Sequence, residues 1–157
     1  MKKIMLLLAL LLSFIAVAQK KTTTNNCRLD GYFNDKTNEM NYTTPLVDGI
    51  ILKKIKNIKD NISYIGMVEA KSTTKITGNG VQLLFENGDF ISDPEAKLVE
   101  QKLDDGSFSY VAVFIISDAD INSFALSKLK GGKVGTVIKL VSQGDEIKEM
   151  ARCLIDK

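Results

Sequence analysis

The residue types that could do chemistry in this chain are few, and their spacing is uninformative for most of it. The sequence contains no histidine, which removes the commonest general base and transition-metal ligand and excludes serine-histidine and cysteine-histidine catalysis. Ser127 and Lys130 fit the S-x-x-K pattern of penicillin-binding enzymes. The S-D-N and K-T-G elements that complete that site are absent, so the segment reads as a solvated helix end. Asp118 with Asp120, and Asp104 with Asp105, are acid/base candidates by type. Their settings suit a helix N-terminus and a hairpin turn, where aspartate bonds to backbone N–H groups. Asp35, Thr37 and Glu39 have the alternating oxygens of a calcium loop but lack its glycine and distal glutamate. No catalytic, cofactor-binding or metal-binding residue is assigned on this basis.

The stretch from Lys75 to Glu95, "KITGNGVQLLFENGDFISDPE", could be a glycine-rich phosphate cradle. A cradle should open a helix whose N-terminus faces the anion. Here Gly78-Asn79-Gly80 precedes an apolar, strand-like run, and neither glycine pair fits G-x-G-x-x-G. The glycines are turn residues, and Asn87-Gly88 predicts a hairpin of the central sheet.

Residues 1–18 read as a secretory signal peptide. Lys2 and Lys3 precede an apolar run, and Ala16-Val17-Ala18 fits a small-x-small cleavage site. The run is about 15 residues, short of the roughly 20 needed to span a bilayer. The chain is therefore expected to be exported, to the periplasm or the exterior, with cleavage after about Ala18 and no stable membrane insertion afterwards. Residues 19–26, "QKKTTTNN", form a polar spacer, and residues 27–157 a single globular domain. Of the chain's 157 residues, 139 follow the signal, enough to bury about two thirds of the unfolded surface. Losing Lys2 and Lys3 reduces the 21 basic residues to 19, equal to the 19 acidic ones. A neutral domain lacks the charge that nucleic-acid backbones select.

Cys27 and Cys153 are the two cysteines. In an oxidising compartment they can form a disulfide, and otherwise each is a small apolar core residue. Sequence leaves both readings standing, because it does not fix the separation of their α-carbons.

The elements that would position these groups are short and mostly extended. "CRLDGYF" and "MNYTTPL" flank a polar turn, and "NISYIGMVEA" alternates Tyr64, Val68 and Ala70 against Ile65 and Met67. "GIILKKIKNIKD" suits a helix or a strand, with strand preferred for its β-branched residues. Its Lys53, Lys54, Lys56 and Lys59 form the basic cluster, read as a solvated face or a lysine-guarded edge. "SFSYVAVFIIS", from Ser107 to Ser117, is apolar on both alternating faces and predicts a central strand covered on each side. Cover should come from two helices: one capped by Ser117 with Asp120, the other carrying Ile147, Met150, Ala151 and Leu154 on one face. "KVGTVIKLVS" reads as one strand between them. The fold class is α+β, mostly β: an antiparallel sheet, as a sandwich or partly open barrel, with two short helices from the C-terminal third packed on it.

The stretches "GNGVQLLFENGDFI", "YVAVFIISDADINSFALSKLK" and "EIKEMARCLIDK" resemble small exported proteins of Bacteroidetes that carry no assigned activity. That resemblance implies a compact, mostly antiparallel domain with a closing helix, and supplies no active site. The leading expectation is a non-enzymatic exported module that binds a protein or cell-surface partner and uses no cofactor. The alternatives are a carrier enclosing a small apolar ligand in a barrel-like sheet and a carboxylate-based hydrolase.

Overall fold

The structure, a computed structural model, describes residues 27–157. The signal peptide and spacer expected over residues 1–26 lie outside the described residues. Ten strands and two helices follow in order: β1 (Asp30–Asn34), β2 (Glu39–Thr43), β3 (Ile50–Asn57), β4 (Ile62–Ser72), β5 (Val81–Phe85), β6 (Phe90–Asp93), β7 (Leu98–Lys102), β8 (Phe108–Ile116), α1 (Asp118–Leu126), β9 (Leu129–Val134), β10 (Val137–Leu140) and α2 (Gly144–Ile155). They form two wholly antiparallel sheets, ordered β1-β2-β3-β4-β8-β7 and β10-β9-β5-β6. The mostly-β α+β class is as expected, in its two-sheet form.

Period-2 alternation builds the interior. Tyr64, Val68 and Ala70 of β4 and Tyr110, Ala112, Phe114 and Ile116 of β8 turn inward from the larger sheet. Val81, Leu83 and Phe85 of β5, with Leu129 and Val134 of β9, turn inward from the smaller one. These faces join in one core with Ile121, Phe124 and Ala125 of α1 and Ile147, Ala151 and Leu154 of α2. Phe85 and Phe124 meet edge to face with ring centroids 5.1 Å apart, a favoured aromatic geometry.

The other face of β8 departs from expectation. Val113 and Ile115 point outward and are exposed, Ile115 to 81%. Helix α2 packs on α1 and against β3 and β9, and α1 enters the core through Ile121, Phe124 and Ala125, so neither helix covers this face. An apolar strand face marks a surface that could be covered; it does not say that it is.

Helix α2 is fastened at both ends. Asp48, in the turn between β2 and β3, accepts hydrogen bonds at Oδ2 from the N–H groups of Ser142 and Gln143 (2.7 Å each) and from the Ser142 hydroxyl (2.9 Å). Gln143 makes no side-chain cap, and Asp48, 94 residues away in sequence from Ser142, instead fixes the segment that enters the helix and sets a negative charge before its first turn. These bonds, the Gln143 N–H first, hold the Asp48 carboxyl below the usual aspartate range. At the other end the Lys54 ammonium donates to the Ile155 carbonyl (2.9 Å), placing a cation where the helix dipole favours one. Cys153 of α2 is disulfide-bonded to Cys27, with α-carbons 5.6 Å apart across 126 residues of chain. By chain entropy such a long closure contributes about 4–5 kcal/mol.

Candidate binding surface

The smaller sheet carries a groove on its outer face. In β5 the residues between the buried Val81, Leu83 and Phe85 are Gln82 and Leu84, which face out. The pairing register sets Phe90, Leu84, Gly131 and Leu140 opposite one another across all four strands. A second row runs Ser92, Gln82, Lys133 and Ile138. Leu84, Phe90, Ile138 and Leu140 are all exposed, Leu140 to 84%.

Between them lies a floor of backbone. At Gly131 a Cβ would collide with the Lys139 carbonyl, and at Gly132 with the Gln82 carbonyl, so glycine lets three strands approach closely. A bulge between Leu84 and Phe85 shifts the β5–β9 register and leaves Lys130 unmatched beside the floor. The result is a groove of about 440 Å³ with apolar walls.

Its electrostatics are one-signed. Lys130, Lys133 and Lys139 line it, and no carboxylate does. Lys139 turns its ammonium away, to the side of Gly49, where burial lowers its pKa against the opposing pull of Asp48 and Glu69. Lys130 and Lys133 are exposed. Among the described residues neither is ion-paired. The groove can therefore hold an apolar group and an anion side by side. Its lining holds no serine, threonine, cysteine or carboxylate.

The candidates singled out by sequence are dispersed. Ser127 caps the end of α1 and accepts a bond from the Asn87 N–H (3.2 Å). Lys130, three residues on, lies in β9 instead of at a helix end. Asp118 and Asp120 occupy the first turn of α1, where Ser117 Oγ accepts from the Asp120 N–H (3.1 Å) and donates to its carboxylate (2.7 Å). Asp105 accepts from the hydroxyl and N–H of Ser107 (2.6 and 2.9 Å), which lower its pKa. Asp35 and Thr37 lie in the β1–β2 turn, with Glu39 opening β2. Among the described residues no three histidine, cysteine, aspartate or glutamate side chains gather as a metal site.

The basic cluster is also taken apart. β3 is an interior strand, not an edge, and its successive lysines face opposite ways. Lys54 reaches α2 on the core side and is only 3% exposed; burial, then Lys56, lowers its pKa. Lys53 lies on the other face near Tyr32, 3.4 Å from its hydroxyl. Lys56 pairs with Asp60 at 2.9 Å.

In the glycine-rich stretch, Gly78, Gly80 and Gly88 all have positive φ. The Asn87-Gly88 hairpin exists, but it belongs to the smaller sheet. Of its two central residues only Gly88 has positive φ, so the turn closes over three residues, with the Phe85 N–H bonded to the Asp89 carbonyl (2.9 Å). "KVGTVIKLVS" is likewise two strands, β9 and β10, folded back at Gly135.

Compared with protein-family models, curated proteins and solved structures, the chain matches none. Among the described residues no helix is long and apolar enough to cross a membrane.

Proposed function

We propose that this protein is an exported, non-enzymatic binding module. Its working surface is the groove on the outer face of β10-β9-β5-β6. The partner is a protein segment that presents apolar side chains next to carboxylates. The observation that carries the reading is the combination, in one groove, of four exposed apolar side chains with Lys130 and Lys133 and no acid. Apolar side chains gathered in one groove and rimmed by polar groups are the pattern of an interaction surface. The lysines give charge complementarity to an acidic partner. The disulfide fits an oxidising compartment outside the cytoplasm. The core side of both sheets is filled, with Phe85, Phe124, Leu83, Leu129 and Leu154 among its fully buried side chains, which favours a surface ligand over one enclosed between the sheets.

The test is a photoreactive residue placed at Phe90 in the exporting cell, with a control at Ile58, which is exposed outside the groove. The expected result is a discrete protein adduct from position 90 that is lost when Lys130 and Lys133 are both changed to glutamate. The same adducts from both positions would refute the reading.

A further inference from the structure

A second surface, independent of the groove, lies at the edge of the larger sheet. β8 pairs with β4 along its whole length, from Phe108 to Ile116. On its other side β7 pairs only with Phe108 to Ala112. Val113, Phe114, Ile115 and Ile116 thus have no strand partner on that side among the described residues. In an antiparallel ladder backbone N–H and C=O groups point alternately to the two neighbours. About half of those in this segment therefore face the vacancy.

The segment's own side chains also give it no guard. Proteins blunt exposed strand edges with charge, proline or bulges. β1 carries Asp30, β6 ends on Asp93, β7 carries Glu100 and Lys102, and β10 carries Lys139. The Val113–Ile116 run has only β-branched and aromatic residues. Beside it is a depression of about 360 Å³, bounded by Ile65, Val113 and Ile115 on one side and the Asp93–Lys97 connection on the other. That connection passes without pairing: the Ala96 carbonyl accepts from the Gly80 N–H (2.8 Å), and the Ala96 N–H donates to the Asp93 carbonyl (3.4 Å).

We infer that this edge receives an extended strand from a partner protein, which completes the six-stranded sheet alongside Val113–Ile116. The addition is backbone pairing of the β-augmentation kind, and the incoming side chains that face outward meet Val113 and Ile115. The depression of about 360 Å³ is the space the added strand would enter. Self-pairing of two copies would drive α1 of the second, which begins at Asp118 directly after the segment, against the Asp93–Lys97 wall of the first. The wall offers Asp93 and Glu95 against Lys97, so a basic residue at the end of the incoming strand is complemented.

The experiment uses the purified protein, isotope-labelled for amide NMR. The probe is a capped seven-residue peptide, alternating valine and threonine between terminal lysines. The expected result is saturable shifts and slowed hydrogen exchange at the amides of residues 113–116. Affinity should fall at least tenfold when alternate peptide nitrogens are methylated, because the backbone donors are then gone. Ile115→Lys, at a solvent-facing position, should weaken binding at least tenfold and leave the unfolding midpoint unchanged. The inference is overturned by equal binding of the methylated peptide, by shifts centred on Leu84 and Phe90, or by no saturation up to ~1 mM. Concentration-dependent dimerisation abolished by Ile115→Lys would also overturn it, in favour of a second copy.

Discussion

Phe85 and Phe90 stand at the two ends of one short hairpin connection, and their environments are opposite. Phe85 is 1% exposed and packs on Phe124 of α1, whereas Phe90 is 71% exposed on the wall of the groove. The contrast extends along both strands, with Val81 and Leu83 behind Phe85 and Leu84 beside Phe90. Equal apolarity thus meets two environments on the two faces of one sheet. The inner face is buried by the fold, and the outer face is open to solvent.

Substitutions on the two faces should separate by size. The largest effect belongs to the inner side. Replacing both Cys27 and Cys153 by serine should lower the unfolding free energy by about 4–5 kcal/mol, read by denaturant titration. Phe85→Ala should cost about 3–5 kcal/mol in the same titration, through lost burial and the cavity left behind.

Asp48→Asn sharpens the comparison by testing how α2, part of the inner side, is held. Asparagine tolerates the positive φ at this position (48°), so the change removes charge without forcing the backbone. A cost of about 0.5–1 kcal/mol is expected. The folded Asp48 carboxyl titrates below its unfolded value of about 3.9. Its contribution is therefore complete above that value and is lost as pH falls through the lower, folded one. The stability gap between wild type and Asp48→Asn should be constant from about pH 7 to 5 and shrink with further acidification.

The smallest effect belongs to the outer face. Phe90→Ala should change stability by less than about 0.5 kcal/mol. A cost near that of Phe85→Ala would erase the distinction between the two faces.

Much of the fold was legible because local rules and tertiary demands agree. Alternation in β4 and the stripe of Ile147, Ala151 and Leu154 in α2 each bury the faces that they mark. The Ser117 cap and the glycine turns follow from backbone chemistry alone. The tertiary half was not legible. Asp48 anchors the entry to a helix from 94 residues away, and no local pattern announces it. The lysines of β3 read as a solvated group because periodicity places Lys53 and Lys54 on opposite faces without saying that both are buried. The groove shows only a weak local signal, the outward Leu84, Ile138 and Leu140 of "VQLLF" and "VIKL". What makes it a groove is the alignment of Gly131 between Leu84 and Leu140, which is a property of register across three strands.

The central claim is that the apolar outer face of the smaller sheet exists for a partner and not for the fold. The double variant Leu84→Ser, Leu140→Ser tests it most directly, measured for unfolding free energy and for the partner adduct from position 90. The account predicts a loss of stability below about 1 kcal/mol, since both side chains already face solvent, together with loss of the adduct. A loss of several kcal/mol, or an adduct that survives unchanged, would contradict it.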